Sequence, residues 1–216
     1  WLYNCAKESL LTKDKPAFYI PNLLDKNIFK PTDKKTARQI LNIDNNETVI
    51  AFGAITVDSP YKGWAYLQKA LALLMQASPA ENISVLIFGS SYKKEIADAI
   101  PFPVKFMGYL KDEYSTALVY NAADVFIAPS LAEAFGYVVM EALSCGTPVV
   151  GFDVGGIPDM VKHKENGYLA KYKDAEDLAE GIRYCISSGV KGYLPADIEP
   201  ELTLKKHLEL IDQVSK

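Results

Sequence analysis

Glu133 and Glu141 bracket a glycine, Gly136, within the stretch Pro129-Ser130-Leu131-Ala132-Glu133-Ala134-Phe135-Gly136-Tyr137-Val138-Val139-Met140-Glu141. The stretch leaves an apolar run, passes through a loop and enters a helix whose first turn follows Gly136. A glycine there removes a side chain just where a helix start exposes unpaired N–H groups. Those groups and the helix dipole favour an anion, phosphate or diphosphate above all. Helical side chains lean toward the N-terminus, so Glu141 in the second turn reaches back toward the same crevice. A carboxylate beside a phosphate is repelled unless it has another task. Carboxylates accept hydroxyl hydrogen bonds well, so sugar or ribose hydroxyls are their natural partners here. A helix cap beside a solvated glutamate is the plainer alternative, and spacing alone leaves it open.

Lys62 is the next candidate. It precedes Gly63 at the start of a helix, after a strand that ends on Gly53. A lysine over a diphosphate would offset charge building on a leaving group; a plain helix start is the other reading. Gly89-Ser90-Ser91 and Gly108-Tyr109-Leu110 follow the next two strands, in loops that could approach a ligand. Tyr109 and Leu110 can also be read as packing. His163, among Lys162, Lys164 and Glu165, reads as a solvated helix end and a poor general base.

Positioning these groups takes a scaffold, and the chain supplies one by alternation. Compact apolar runs at 48–53, 84–89, 104–106, 125–128, 147–151 and 168–169 read as strands covered on both faces. Helices are expected between them, at about 63–77, 92–99, 112–121, 137–145, 157–162 and 174–187. Asp33 caps a further helix running to about Ile40, and Gly146 ends the helix before the fifth of these strands. Phe18-Tyr19-Ile20 reads as an additional short strand stopped by Pro21. The pattern calls for α/β architecture, a doubly wound parallel sheet (Rossmann-like), with ligands outside the carboxyl ends of its strands. The expected organisation is a helical segment over 1–15, one domain over 16–190, and a linker with a last helix over 191–216.

Composition narrows the classes. The chain has 216 residues, 49% hydrophobic, enough for one full core. Lys and Arg number 23 against 27 Asp and Glu, a net charge of −4 with no basic stripe, which disfavours nucleic acid as a partner. Cys5, Cys145 and Cys185 are few and far apart, so they read as reduced, partly buried small hydrophobes in a cytoplasmic setting. His163 and His207 cannot build a zinc site without a CxxC, and no metal is expected. No apolar run reaches the length of a membrane span.

The segment resembles the donor-binding motif of retaining glycosyltransferases of the two-domain GT-B fold, family 4 (glycosyltransferase group 1). Glu133, Phe135, Gly136 and Glu141 match its spaced pattern, followed by Ala142-Leu143-Ser144-Cys145-Gly146-Thr147-Pro148-Val149-Val150. Gly155-Gly156-Ile157-Pro158-Asp159-Met160-Val161 and Asn166-Gly167-Tyr168-Leu169 resemble the next loop and turn. The likeness runs from Ile20-Pro21-Asn22 to the helix after Asp174.

The resemblance implies a half-enzyme. A nucleotide-diphosphate sugar is the substrate, with no cofactor and no metal held by an Asp-x-Asp motif. Glu133 would contact donor sugar hydroxyls near the anomeric carbon, and Glu141 would hold the ribose hydroxyls. Backbone groups of Ala134, Phe135, Gly136, Tyr137 and Val138 would approach the diphosphate or sugar. Lys62 matches the lysine that faces the diphosphate, Gly53, Gly89 and Ser90 would border the donor, and Tyr109 or Leu110 would line the base. The common pattern places an arginine directly after the strand's glycine, where this chain has Ala54. One cationic diphosphate ligand is then absent, or is supplied by a neighbour such as Lys93.

The chain begins at Trp1 without Met, as a piece of a longer protein would, and the resemblance implies a preceding acceptor-binding domain. Through that domain the enzyme could also sit peripherally on the inner face of a membrane. A saccharide or lipid-linked acceptor fits the resemblance, as does polysaccharide or cell-envelope glycan synthesis. The main alternative is a non-catalytic nucleotide-sugar binding module. A dehydrogenase is disfavoured because no GxGxxG follows an early strand.

Overall fold

The computed structural model describes residues 1–53, 59–77 and 82–215. Its centre is a six-stranded parallel sheet of β1 (Thr48–Gly53), β2 (Ile83–Phe88), β3 (Val104–Gly108), β4 (Val125–Ala128), β5 (Val149–Phe152) and β6 (Gly167–Ala170). The spatial order is β3-β2-β1-β4-β5-β6. All neighbours run parallel, with Ile50 opposite both Val85 and Val125. The order in which strands are added reverses between β1 and β4, and that switch opens a crevice outside their carboxyl ends.

Nine α-helices accompany the sheet among the described residues. They are α1 (Leu2–Glu8), α2 (Lys34–Ile40), α3 (Trp64–Ala77), α4 (Lys94–Asp98), α5 (Glu113–Ala122), α6 (Tyr137–Ser144), α7 (Ile157–Met160), α8 (Ala175–Ser188) and α9 (Pro200–Val214). Helices cover both faces because successive strand residues point to opposite sides. In β1, Val49 and Ala51 enter one apolar cluster while Ile50 and Phe52 enter the other. In β4, Phe126 and Ala128 join the first cluster, Val125 and Ile127 the second. The first is closed by α2, α5 and α6, the second by α3 and α8, and both stay apolar along the whole strand. That is why these strands read as unbroken apolar runs.

Local signals explain the helix ends. Asp33 accepts the Thr36 N–H at the start of α2, and Asp112 accepts that of Ser115 at α5. Asp174 accepts two N–H groups, from Glu176 and Asp177, at α8. Each satisfies donors that a first turn cannot pair internally.

Phe18-Tyr19-Ile20 is not a strand. A strand needs a neighbour, and none of the six offers this segment one. Phe18 and Tyr19 are exposed, with Tyr3 set edge-on to Tyr19 and the Lys206 ammonium over its ring. Cys5 is exposed as well, whereas Cys145 and Cys185 are buried as expected. His163 lies beyond the end of α7, its ring 4.4 Å from that of Tyr168 and its Nδ1 accepting the Leu169 N–H.

Candidate functional site

The two residues singled out for chemistry meet. Lys62 Nζ lies 3.2 Å from Glu133 Oε2, in an ion pair whose carboxylate is mostly buried. Each comes from a loop at the crevice, Lys62 after β1 and Glu133 after β4, and close backbone packing brings these loops together. Gly63, φ +65°, sits so tightly under the other loop that a Cβ would fall on the Pro129 carbonyl oxygen. The Leu131 N–H donates to the Tyr61 carbonyl at 2.8 Å. Glycine is required at Gly63 twice over, for the left-handed backbone and for the close approach.

The far side of the Glu133 loop is clamped as firmly. A Cβ on Gly155 would strike the Glu133 carbonyl, and one on Gly156 would lie 2.7 Å from that of Ala134. The Gly156 N–H donates to the Glu133 carbonyl at 3.1 Å, and Tyr172 Oη to Leu131 at 3.0 Å. Ser130, buried behind the loop, places its hydroxyl 3.5 Å from Glu133 Oε2. Glu133 is therefore held by its backbone while its side chain faces Lys62.

Gly136 begins α6 with φ +95° and ψ +61°, and its carbonyl accepts the Val139 and Met140 N–H groups. A Cβ there would stand 3.3 Å from Glu133 Cγ, so the glutamate stem crosses the helix start. The N–H groups of Tyr137 and Val138, in the first turn, have no intrahelical acceptor. A lysine, a carboxylate and a helix start thus converge at the switch between β1 and β4.

Glu141 is in the second turn of α6, half-buried, and Tyr120 Oη donates to its Oε2 at 2.8 Å. Burial raises the Glu141 carboxyl above the usual glutamate range; the Tyr120 bond pulls it down and the nearby Glu113 charge pushes it up. The sequence reading missed Tyr120. Its signal was available: a tyrosine inside a buried apolar helix face must find a partner for its hydroxyl.

The remaining candidates sit around this centre. Gly53 ends β1 against the Phe88 ring, where a Cβ would not fit. Ala54 lies outside the described residues. Gly89, φ +82°, donates its N–H to the Gly108 carbonyl at 2.8 Å, which joins the ends of β2 and β3. Ser90 is buried with its hydroxyl on Ser91, so that loop presents backbone. Tyr109 is 67% exposed and does not pack, whereas Leu110 rests on the core. Ala134 and Tyr137 are exposed, Val138 is half-buried, and Phe135 sits edge-on to Tyr137 at 5.3 Å. Lys93 precedes α4 at its N-cap position. Among the described residues no group of His, Cys, Asp or Glu side chains is placed to hold a metal ion, and no helix is long and apolar enough to cross a membrane.

The fold and crevice define a Rossmann-like α/β domain of the kind that closes one half of a GT-B glycosyltransferase. Residues 46–188 match the family model described as glycosyl transferases group 1. The chain belongs to that family.

A D-inositol 3-phosphate glycosyltransferase of Rhodococcus opacus is 34% identical over 170 residues, covering 74% of this chain and 37% of that protein. Among solved structures, Anabaena HepE in complex with UDP and glucose superposes with a TM-score of 0.71 at 26% identity, over 91% of this chain and 56% of its own. A glycosyltransferase from Rickettsia africae reaches a TM-score of 0.80 at 19% identity, over 100% of this chain and 62% of its own, a likeness of fold alone. The chain thus spans little more than a third of the length of that Rhodococcus relative.

Proposed function

We propose that this domain binds a nucleotide-diphosphate sugar and serves a retaining hexosyl transfer to a saccharide or lipid-linked acceptor, in polysaccharide or cell-envelope glycan synthesis. One observation carries the reading: Lys62 and Glu133 are paired at 3.2 Å beside the Gly136 helix start, at the switch of the sheet. HepE, similar over most of this chain, was solved with UDP and glucose and with UDP-glucose. Those complexes support a nucleotide-sugar donor here.

The chemistry follows from the charges. A diphosphate resting on the Tyr137 and Val138 N–H groups competes with Glu133 for the Lys62 ammonium. Lys62 then neutralises charge growing on the leaving diphosphate, the point where electrostatic help lowers the barrier most. Glu133, freed from the pair, turns its lone pairs to the sugar hydroxyls and holds the anomeric carbon in line. Glu141 accepts the ribose hydroxyls. Acceptor binding is assigned to a second domain of the kind that the relatives' greater length accommodates. This domain alone is expected to bind donor without turning it over, since transfer needs a closed crevice that excludes water.

Titration calorimetry with uridine and guanosine diphosphates tests the reading. Saturable binding of one of them at micromolar to millimolar concentration supports it. No heat at millimolar concentration of either would sink it.

A further inference from the structure

We infer that Tyr120 is a positioning residue for the donor ribose, using its hydroxyl to hold the Glu141 carboxylate in the orientation that receives the sugar hydroxyls. The inference rests on the donor reading above.

Tyr120 is itself immobile. It is fully buried near the carboxyl end of α5, with Phe88 and Phe126 edge-on to its ring at centroid distances of 5.5 and 5.2 Å. Its carbonyl accepts the Thr147 hydroxyl at 2.7 Å, which ties α5 to the turn before β5. The phenol therefore has one place for its oxygen, and that place is 2.8 Å from Glu141 Oε2. Phe88 ends β2 beside Gly53, so the aromatic cage belongs to the floor of the same crevice.

A glutamate has three side-chain torsions, and a ligand that must order them loses affinity to the entropy cost. Tyr120 removes that cost in advance. It also divides the carboxylate: the phenol has one proton to give and occupies Oε2, while among the described residues no donor reaches Oε1. Oε1 is then the acceptor left for a ligand hydroxyl.

The same contact opposes protonation of Glu141, which burial favours. The titratable groups facing Glu141 are Tyr120 and Glu113 from α5 and Cys145 just past the end of α6. Burial pushes the Cys145 thiol up to about 12, so it carries no charge at neutral pH. Burial and Glu113 both favour the protonated glutamate, and the Tyr120 hydroxyl is the group that favours the carboxylate. A carboxylate, acceptor on both oxygens, is the form that a donor hydroxyl needs.

The test compares UDP with its 2′,3′-dideoxy analogue by calorimetry from pH 5.5 to 8, in wild type, Tyr120→Phe, Glu141→Gln and the double variant. Tyr120→Phe is expected to weaken UDP about tenfold, leave the dideoxy analogue within about twofold, and move the acid limb of the UDP profile to higher pH. In the Glu141→Gln background the same substitution is expected to change nothing further. Equal losses for both nucleotides, an unmoved acid limb, or additive effects in the double variant would overturn the inference while leaving the donor reading intact. A wild type that binds neither nucleotide overturns both. If Tyr120→Phe does not fold, the ¹³Cζ tyrosine signal of Tyr120 takes its place: UDP should shift it in wild type and not in Glu141→Gln, and equal shifts refute the inference.

Discussion

Lys62 and Glu133, 71 positions apart in sequence, form an ion pair at 3.2 Å because two backbone contacts seat one loop on the other. Gly63 lies beneath the Pro129 carbonyl, and the Leu131 N–H reaches Tyr61. The pair therefore belongs to the loop architecture more than to the attraction between its charges. Lys62 is 36% exposed, where water screens most of that attraction.

Substitutions at the two positions should act in opposite directions on nucleotide binding. Lys62→Met is expected to weaken UDP about tenfold or more and leave uridine unaffected, since only the diphosphate meets the ammonium. Glu133→Gln removes the competitor and a nearby negative charge, so UDP should bind as tightly as to wild type or a few-fold tighter. With the proposed acceptor-binding domain attached, the Glu133 variant should nonetheless lose about a hundredfold in turnover. Calorimetry and initial-rate kinetics read the two effects separately; weaker UDP binding by Glu133→Gln would count against the competition.

The clamp behind Glu133 has its own signature. Gly155→Ala adds a Cβ against the Glu133 carbonyl at φ +59°, and should cost about 2–4 kcal/mol, a drop of roughly 5–10 °C in Tm. Gly189→Ala, at φ +67° with open space around it, should cost only the backbone strain of about 1 kcal/mol. Thermal melts of the two variants compare a close approach with strain alone. Equal Tm losses would show that the Gly155 contact with the loop is dispensable.

Much of this was legible in sequence where the cause is local. The strands announced themselves because both faces are covered, and Asp33, Asp112 and Asp174 marked helix starts they do cap. The Glu133–Glu141 loop was readable through its glycine and carboxylates. What escaped depends on distant partners. Phe18-Tyr19-Ile20 has strand-like residues but no neighbouring strand, and instead contacts Tyr3 and Lys206. Tyr120 is not among the sequence candidates, because its partner lies on another helix. The close approaches at Gly63 and Gly155 come from carbonyls of a loop distant in sequence.

Two carboxylates should give opposite pH dependences. Burial alone would raise Asp124, but hydrogen bonds from Lys34 and the Val49 N–H, with the Lys34 and Arg38 charges, outweigh it and hold its carboxyl low. Its contribution is present above the unfolded carboxylate value near pH 4 and is lost as pH falls through the lower folded value. Asp124→Asn should therefore lower Tm at pH 7, leaving the buried Arg38 guanidinium poorly paired, with the difference shrinking toward pH 2. Glu141 is raised, so the folded chain binds its proton more tightly and loses stability as pH climbs through that range. Glu141→Gln should raise Tm at pH 7 and match wild type near pH 4. Melts across pH 3–8 check both; a Glu141→Gln variant less stable at pH 7 would contradict the assignment.

The thiols give an inexpensive check on the packing. Cys145 and Cys185 are buried, with thiols pushed up to about 12 by desolvation first, while Cys5 is exposed. An Ellman titration of the native chain at pH 8 should show one fast thiol, and three after unfolding. Two or more fast thiols in the native chain would show that the core is looser than described.

The proposed donor diphosphate sits between Lys62 and the start of α6. Amide and lysine-ammonium NMR during a UDP titration tests it most directly. The largest shifts are expected at the Gly136, Tyr137 and Val138 amides and at Lys62 Nζ, saturating together. UDP binding that saturates with those signals unmoved would contradict it.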